Sequence, residues 1–246
     1  MNHRKILMGV LLLVVSAVAQ AAGKYGDLDQ AGSNVFDRAS LQRGAALFAN
    51  YCMGCHSAQF VRYQRLVEDL DLTEEEVLEF LAFGNQALSD YMVAAMRDED
   101  AEQWFGTAVP DLSLTARSRG ADWIYTFLRS FYLTDEGWNN KVLEYPSMPH
   151  VLWELQGIQR AITETRTTSG GEIETVLVGL ELDQPGRMSV AEYDNAVRDL
   201  VAFMEYIGEP AILKRHRVGL WVLVFLSLFT FLSYLLYQEY WKDVKK

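Results

Sequence analysis

The sequence predicts a mainly α fold, with long loops and a small β-hairpin insertion, followed by one C-terminal transmembrane helix. Three observations lead to this fold class. Helix-capping patterns recur along residues 22–213, a Thr-, Val- and Ile-rich segment is divided by a glycine turn, and twenty consecutive residues near the C-terminus carry no charge. The chain has 246 residues, of which 50% are hydrophobic and 12% aromatic, so it is too apolar for a disordered acidic chain.

The first 21 residues have the pattern of a secretory signal peptide. Arg4 and Lys5 precede an apolar run, Ile6 to Val15, that is too short to cross a bilayer. Ala19-Gln20-Ala21 then fits the small-residue cleavage pattern, with an uncleaved N-terminal anchor as the alternative. We therefore expect residues 1–21 to be a cleaved signal peptide and the domain that follows to be exported.

The apolar segment from Val218 to Tyr237 is long enough to cross a membrane as a helix. Its residues rise by about 1.5 Å each, roughly 30 Å in total, which matches the hydrocarbon core of a bilayer. The flanking basic residues are equal in number on the two sides, so the exported N-terminus decides the orientation. We expect an exported domain at 22–213, a membrane anchor with its flanks at 214–241 and a cytoplasmic tail at 242–246.

Capping patterns place the helices of the exported domain. Thr73–Glu76 and Ser189–Glu192 each form a capping box, and the second begins the most regular helical pattern, which ends near Gly208. Ser40 is expected to cap an earlier helix that runs to about Tyr51. A further helix is expected to begin at Asp122 and to include Phe131.

The remaining segments predict a hairpin and two long loops. Residues 161–167 and 172–182 favour strands, and Thr168-Ser169-Gly170-Gly171 between them is typical of a hairpin turn. Residues 105–120 and 134–150 are expected to be loops because prolines interrupt them. Loops of this length need a large body to pack around.

The most informative motif is Cys52-Met53-Gly54-Cys55-His56. C-x-x-C-H is the attachment sequence of c-type haem, in which two thiols bond the porphyrin and the histidine lies under the iron. A redox C-x-x-C pair and a zinc site are the alternatives. Neither requires a histidine after the second cysteine, and the chain has only two cysteines. We therefore expect one covalently bound haem c on Cys52 and Cys55, with His56 as the first axial ligand of the iron.

The second axial ligand stays open on the sequence alone. Met148 lies in Tyr145-Pro146-Ser147-Met148-Pro149, a proline-fixed segment that can hold a thioether over the haem. His150 is the main alternative. The remaining candidates are Met92, Met96, Met188, Met204 and His216. Packing is the more common role for Met188 and Met204, and the spacing of Met92 and Met96 also fits a core. A His/Met pair raises the potential of a haem, which suits a late step in an electron-transfer chain.

With these residues the chain resembles the cytochrome c1 family, the haem subunits of ubiquinol–cytochrome c reductase, in its proteobacterial type. The similarity covers nearly all of the chain after the signal peptide and rests on segments in the family's order. They are CMGCHSAQFVRYQRL, LTEEEV, LSDY, VPDLSLTARSRGADWIYTFL, YPSMPHVLWELQG, GRMSVAEYDNAVRDLVAFMEYIGEP and KRHRVG. One departure is that His150 follows Pro149 where the family often has a longer proline-rich run.

The resemblance implies roles for particular residues and partners. Met148 would be the second axial ligand, Arg119 would contact a haem propionate and Pro110 would line the haem pocket. The chain would be the electron-transfer subunit of a dimeric reductase complex in the bacterial inner membrane, with its haem domain in the periplasm. It would take an electron from a Rieske iron–sulfur protein, beside cytochrome b, and pass it to a soluble or membrane-bound cytochrome c. It would perform no substrate chemistry of its own, so no catalytic residue is assigned.

The charge distribution favours a cationic redox partner and not a nucleic acid, which requires a basic face. The net charge is −11, but residues 23–213 alone carry 14 basic and 31 acidic residues. Acidic clusters at residues 68–79 and 98–102 would steer a basic cytochrome or form solvated faces. Three other functions fit the motifs: an anchored c-type cytochrome of another respiratory complex, a free-standing electron carrier, and an anchored protein whose Cys52–Cys55 pair exchanges disulfides.

Overall fold

A computed structural model describes residues 28–84, 86–167 and 173–243 of the chain. The predicted signal peptide at 1–21 and the predicted glycine turn at 168–171 lie outside the described residues. The last three residues of the predicted tail, and the side chain of the candidate ligand His216, also lie outside them.

The described residues before Ile212 contain more helix than strand, in agreement with the predicted mainly α fold. Its first half contains, in order, α1 (Arg38–Leu47), a π-helix (Phe48–Cys52), β1 (Ala58–Arg62), α2 (Tyr63–Leu70), α3 (Glu74–Phe80), β2 (Tyr91–Met92) and α4 (Asp98–Phe105). The second half contains α5 (Thr115–Arg119), α6 (Ala121–Arg129), β3 (Phe131–Thr134), β4 (Gly137–Asn140), α7 (Trp153–Gln156), β5 (Gly157–Thr167), β6 (Ile173–Pro185) and α8 (Val190–Gly208). The described strands form three antiparallel pairs, β1 with β2, β3 with β4 and β5 with β6.

The core forms where α1 packs on α8. The predicted capping box is present at the start of α8, where the Ser189 side chain accepts a hydrogen bond from the backbone of Glu192. A Cβ atom on Gly44 of α1 would lie only 2.1 Å from the Asp199 carbonyl oxygen of α8, so the backbones of the two helices are in close contact there. Further along, Phe203 of α8 contacts Phe48 with ring centroids 5.5 Å apart. Because Phe48 begins the π-helix, α8 fixes the element that leads into the C-x-x-C-H motif.

The N-cap of α1 is Asp37, so the prediction of Ser40 is wrong. The Asp37 side chain accepts a hydrogen bond from the Ser40 backbone, and the helix begins at Arg38. The Ser40 hydroxyl instead donates to the buried Asp199 carboxylate at 2.6 Å. Arg43 donates to the same carboxylate through Nε at 2.6 Å and through Nη2 at 3.0 Å. Ser40 therefore joins two helices, and the capping role falls to an acceptor three residues earlier.

Local elements differ from the sequence predictions at several points. The predicted hairpin is present but longer, because β5 and β6 pair along their whole lengths from Gly157 to Pro185. The predicted loops are partly wrong, since α5 lies within 105–120 and β4 within 134–150. Phe131 begins β3 and does not continue α6. Elements of four or five residues show too little periodicity to be recognised in a sequence.

The C-terminal helix α9 (Ile212–Tyr240) agrees with the predicted anchor. Within it, Val218–Tyr240 has a mean hydropathy of 2.2, and none of its most apolar window is buried inside the protein. It is the one helix among the described residues that is long and apolar enough to cross a membrane. The first turn of α9 is tied to the preceding domain by Glu209, which binds both Arg117 of α5 and Arg215 of α9.

Candidate haem-binding site

A tight turn presents the two cysteines and the histidine of the C-x-x-C-H motif. The backbone N–H groups of Cys55 and His56 both donate to the Cys52 carbonyl, at 3.0 and 2.8 Å. Both cysteines are free thiols. Burial, with a smaller contribution from the neighbouring Cys55, raises the pKa of Cys52 to about 12. The turn therefore holds an apolar, protonated thiol beside the more accessible thiol of Cys55.

The imidazole of His56 is oriented by a backbone carbonyl. Its Nδ1 atom lies 2.8 Å from the Pro110 oxygen, so Nδ1–H donates and Nε2 is the nitrogen left to bind a metal. Burial lowers the pKa of His56, and the opposing effects of the Pro110 hydrogen bond and of the Asp111 charge are smaller. The ring is therefore neutral at neutral pH, which is the form that coordinates iron.

The segment that supplies the Pro110 carbonyl is fastened alongside the residues that follow His56. Leu112 donates from its backbone to the Ser57 carbonyl at 2.8 Å. The Asp111 carboxylate accepts from the Gln59 backbone at 2.9 Å, and the Ser113 hydroxyl accepts from Phe60 at 3.2 Å. These bonds fix the distance between Pro110 and His56, so the orientation of the imidazole is built into the fold.

One pocket brings the predicted haem-binding residues together from three parts of the chain. Its walls are formed by Tyr51, Cys52, Cys55, His56, Phe105, Thr107, Ala108, Val109, Pro110, Ser147, Met148, Pro149 and Val151. The empty space inside it, counted to its open mouth, is about 570 Å³. A mostly apolar slot that contains two thiols, an imidazole with a fixed tautomer and a thioether fits a covalently bound haem c.

Met148 is the one candidate second ligand, among those with described side chains, that lines this pocket. The ring of His150 is buried elsewhere, parallel to Phe131 with centroids 5.0 Å apart and edge-on to Trp138 at 5.2 Å. Burial lowers the pKa of His150 to about 4. Met92 and Met204 belong to the buried core. The geometry therefore favours Met148 over His150 as the second axial ligand.

Arg119 is not among the residues that line the pocket. Its guanidinium carbon lies 5.1 Å from the centroid of the Trp123 ring on α6. From there, Trp123 stacks on Phe127 with centroids 5.0 Å apart, and Phe127 meets Phe131 at 4.9 Å. The contact of Arg119 with a haem propionate stays a prediction, whereas its place at the end of this row of rings is a structural observation.

The sequence reasoning missed one wall of the pocket. Phe105 is the last residue of α4, and Gly106 ends that helix with φ 74°, so the chain turns at once into Thr107–Val109. The signal for this wall is an aromatic residue before a helix-ending glycine, followed by Pro110. The helix that ends in this wall, α4, carries three acidic residues in its first turn, so negative charge lies at its other end.

The family comparison agrees with this geometry. The model of the Cytochrome C1 family matches residues 30–151 and 186–244, on both sides of the β5–β6 hairpin. The chain belongs to the cytochrome C1 family. This confirms the resemblance seen in the sequence, and membership of the cytochrome C1 family implies a haem c cofactor and an electron-transfer subunit of a reductase complex.

Individual relatives extend over nearly the whole chain. The cytochrome c1 of Allochromatium vinosum is 45% identical across 98% of this chain and 99% of its own length. A protein of Nitrosomonas europaea named ammonia monooxygenase gamma subunit is 43% identical across 95% of both chains. The cytochrome c1 of Rhodospirillum rubrum is 26% identical across 85% of this chain and 84% of its own. The two more similar relatives therefore also align across the hairpin region.

Proposed function

We propose that this chain is the membrane-anchored, monohaem electron-transfer subunit of a ubiquinol–cytochrome c reductase. It accepts one electron from the Rieske iron–sulfur protein, which membership of the family places beside cytochrome b in the same complex, and passes it to a c-type cytochrome. The observation that carries the proposal is that Cys52, Cys55, His56 and Met148 share one pocket. The chain acts as a relay and needs no acid–base residue.

The residues of the pocket divide the work of holding and tuning the cofactor. Cys52 and Cys55 would hold the haem through two thioether bonds, and His56 Nε2 and the Met148 sulfur would bind its iron. The bound haem c supplies reversible one-electron chemistry. The Pro110 carbonyl keeps the imidazole in one orientation, and the apolar walls exclude water. A thioether ligand and an apolar environment both favour the reduced state, which raises the potential.

Replacing the proposed ligands tests this assignment. Met148→Leu should retain covalent haem but lose the charge-transfer band of a sulfur-ligated ferric haem, with a lower midpoint potential. Met188→Leu is the matched control, because Met188 only packs against the core, and it should leave both unchanged. An unaltered band and potential in Met148→Leu would assign the second ligand to another residue. The absence of covalently bound haem from the wild-type protein would reject the function itself.

The acidic first turn of α4 is our proposed steering surface for the acceptor. Asp98, Glu99 and Asp100 begin a helix whose last residue, Phe105, forms part of the pocket wall. Eight helical residues span about 12 Å, so these charges lie within about 12 Å of that wall along the helix. Arg97 pairs with Asp100 at 2.8 Å, which leaves the cluster net negative. A cationic cytochrome that approaches this helix is thereby brought towards the haem edge.

A charge-reversal experiment separates this surface from the other acidic cluster. Asp98→Lys with Glu102→Lys should slow electron transfer to a basic cytochrome c and flatten its dependence on ionic strength. Glu75→Lys with Glu79→Lys on α3 is the matched control, since it makes the same change of charge on another helix. Equal effects from both pairs, or a rate that ionic strength does not change, would remove the steering role of α4.

The orientation in the membrane is part of the proposal. The pattern of residues 1–21 and the single apolar segment Val218–Tyr240 support a periplasmic haem domain and a cytoplasmic C-terminus. Protease added to intact spheroplasts should digest the haem domain and leave a C-terminal tag protected. A tag that is digested under the same conditions would reverse the orientation.

The 43% identical relative named ammonia monooxygenase gamma subunit supports a second candidate, a haem subunit of another membrane complex. Purifying the tagged full chain from its native membrane distinguishes the two. Cytochrome b and a Rieske protein in a dimeric complex support the reductase. A set of monooxygenase subunits in their place would support the second candidate.

A further inference from the structure

The short segment that carries Met148 is held at its start by a buried amide. We call residues 145–150 the Met148 loop. The Asn139 side-chain oxygen accepts hydrogen bonds from the backbone of Tyr145 and of Asn140, both at 2.8 Å. Tyr145 has φ 45°, in the left-handed region that residues with a side chain rarely adopt. A hydrogen bond from this residue to the buried Asn139 amide stabilises a backbone conformation that the sterics of Tyr145 disfavour.

The end of the loop is held by a buried ring. His150 is 2% exposed, and its imidazole lies parallel to Phe131 within 5° and edge-on to Trp138 at 80°. Phe131 begins β3 and Trp138 lies on β4, and these two strands pair with each other. The ring therefore docks the end of the Met148 loop onto the β3–β4 hairpin.

The position of the ring bears directly on Met148. Pro149 is the single residue between them, and its fixed φ transmits a displacement of His150 to the methionine. A thioether is a neutral ligand, so charge attraction does not draw it to the iron. The sulfur stays at bonding distance only if the backbone that carries it is already ordered there.

We propose that His150 is a positioning residue for the second axial ligand, and that its stacked ring and the Asn139 amide hold the Met148 loop where the sulfur reaches the iron. This inference rests on the proposed role of Met148 as the ligand. His150 does not line the haem pocket, so its ring is not placed to bind the iron. Its contribution is the shape and stacking of the ring.

Two substitutions at His150 separate stacking from bulk. His150→Phe keeps a flat ring between Phe131 and Trp138, whereas His150→Leu fills the space without one. Leu70→Ala at the end of α2 is the control for a general loss of stability, because Leu70 is fully buried on another element. The full chain, loaded with haem and purified in detergent, is used throughout. Covalent haem content, the sulfur charge-transfer band, the midpoint potential and carbon monoxide binding to the reduced protein are measured.

We expect His150→Leu to keep its covalent haem but to lose the sulfur band, to have a lower midpoint potential and to bind carbon monoxide. His150→Phe should retain the wild-type band and potential. Leu70→Ala should melt at a lower temperature with an unchanged band. Asn139→Ser, at the other end of the loop, should weaken the band as His150→Leu does, and it provides the test if His150→Leu does not accumulate.

Several results would overturn the inference. A wild-type band and potential in His150→Leu would show that the ring does not position the ligand, and so would a loss in His150→Phe as large as in His150→Leu. A wild-type band in Asn139→Ser would remove the clamp at the start of the loop. Met148→Leu, measured in parallel, distinguishes failure of the positioning role of His150 from failure of the ligand assignment of Met148. If it changes the spectrum while His150→Leu does not, the positioning role alone fails, and if it changes nothing, the ligand assignment itself fails.

Discussion

Gly44→Ala would add one methyl group at the point where α1 rests on the backbone of α8. The new Cβ would lie 2.1 Å from the Asp199 carbonyl oxygen and 2.8 Å from the Cβ of Phe203. Carbon atoms pack at about 3.5–4.0 Å, so the helices must separate by about 1 Å or more. The nearest atom is a backbone carbonyl, which cannot rotate away as a flexible side chain would.

Two opposing contributions, overpacking of the core and the higher helix propensity of alanine, set the change in the free energy of unfolding. Overpacking of a core costs about 1–3 kcal/mol, and a backbone contact places Gly44→Ala at or above the upper limit. Alanine is more favourable than glycine inside a helix by about 1 kcal/mol, which offsets part of the cost. Separation of the helices also stretches the bonds from Ser40 and Arg43 to Asp199. We expect a net loss of about 2 kcal/mol or more in the free energy of unfolding, or a fall of roughly 4–8 °C in melting temperature.

Thermal unfolding of the haem-loaded full chain, followed by circular dichroism, measures this change. Gly179→Ala is the matched control, because its Cβ would meet only the Ile162 side chain, at an ordinary distance of 3.7 Å. The control should melt at or slightly above the wild-type temperature. A Gly44→Ala protein that melts with the wild type would refute the close contact between α1 and α8, and with it our account of how the C-x-x-C-H turn is supported.

Other predictions concern the same helix pair. Asp199→Ala should destabilise the protein by about 2–3 kcal/mol, because it removes charge-assisted hydrogen bonds to a buried carboxylate. Arg43→Ala should lower the free energy of unfolding by less than Asp199→Ala does, since the Arg43 side chain is 59% exposed. Chemical denaturation measures both losses, and a larger loss for Arg43→Ala would contradict this description of the network. Ser189→Ala should cost about 1 kcal/mol at neutral pH by removing the N-cap of α8. The Ser189 hydroxyl also donates to the Glu192 carboxylate, and hydrogen bonds from Ser189 lower the pKa of Glu192 from its ordinary 4.5. The stability from this bond to the carboxylate is present above pH 4.5 and is lost as the pH falls through the lowered pKa. The deficit of Ser189→Ala in unfolding experiments should therefore shrink in acid, and a deficit that grows in acid would contradict this explanation.

The parts of the site that the sequence predicted are those whose geometry is local. The C-x-x-C-H turn is closed by bonds within five residues, and the capping boxes at Thr73 and Ser189 each involve residues three apart. The anchor needs only length and hydropathy. Such features require no knowledge of what packs against them, so a single sequence is sufficient.

The choice between Met148 and His150 as the second axial ligand cannot be made from local sequence. It depends on which side chain faces the pocket, and that is decided by the stacking of His150 on the β3–β4 hairpin. The sequence predicts a loop at residues 134–150 and gives no sign of strand β4, so the partner of His150 is not visible in it. The prediction of Ser40 as an N-cap is wrong for a related reason, because the Asp199 carboxylate that its hydroxyl binds lies 159 residues away in the chain. Long-range partners of this kind have no periodic signal.

The candidate haem pocket and α9, the candidate membrane helix, are connected through one short stretch of the chain. Pro110, which orients His56, lies five residues before α5, and Arg117 of α5 binds Glu209 at the end of α8. Glu209 also binds Arg215 in the first turn of α9. The two arginines are more than half exposed, so each ion pair is worth less than about 1 kcal/mol.

These two ion pairs alone are therefore too weak to fix the end of α8 against the pocket wall. Packing supplies the rest, because a Cβ on Gly208 would already meet the Arg117 side chain at 3.3 Å and the Ser113 carbonyl at 3.5 Å. Gly208 thus lies against the same segment, residues 110–113, that is fastened beside His56. This close packing holds the end of α8 against the segment that orients His56, so the C-terminal end of α8 and the pocket wall form one packed unit.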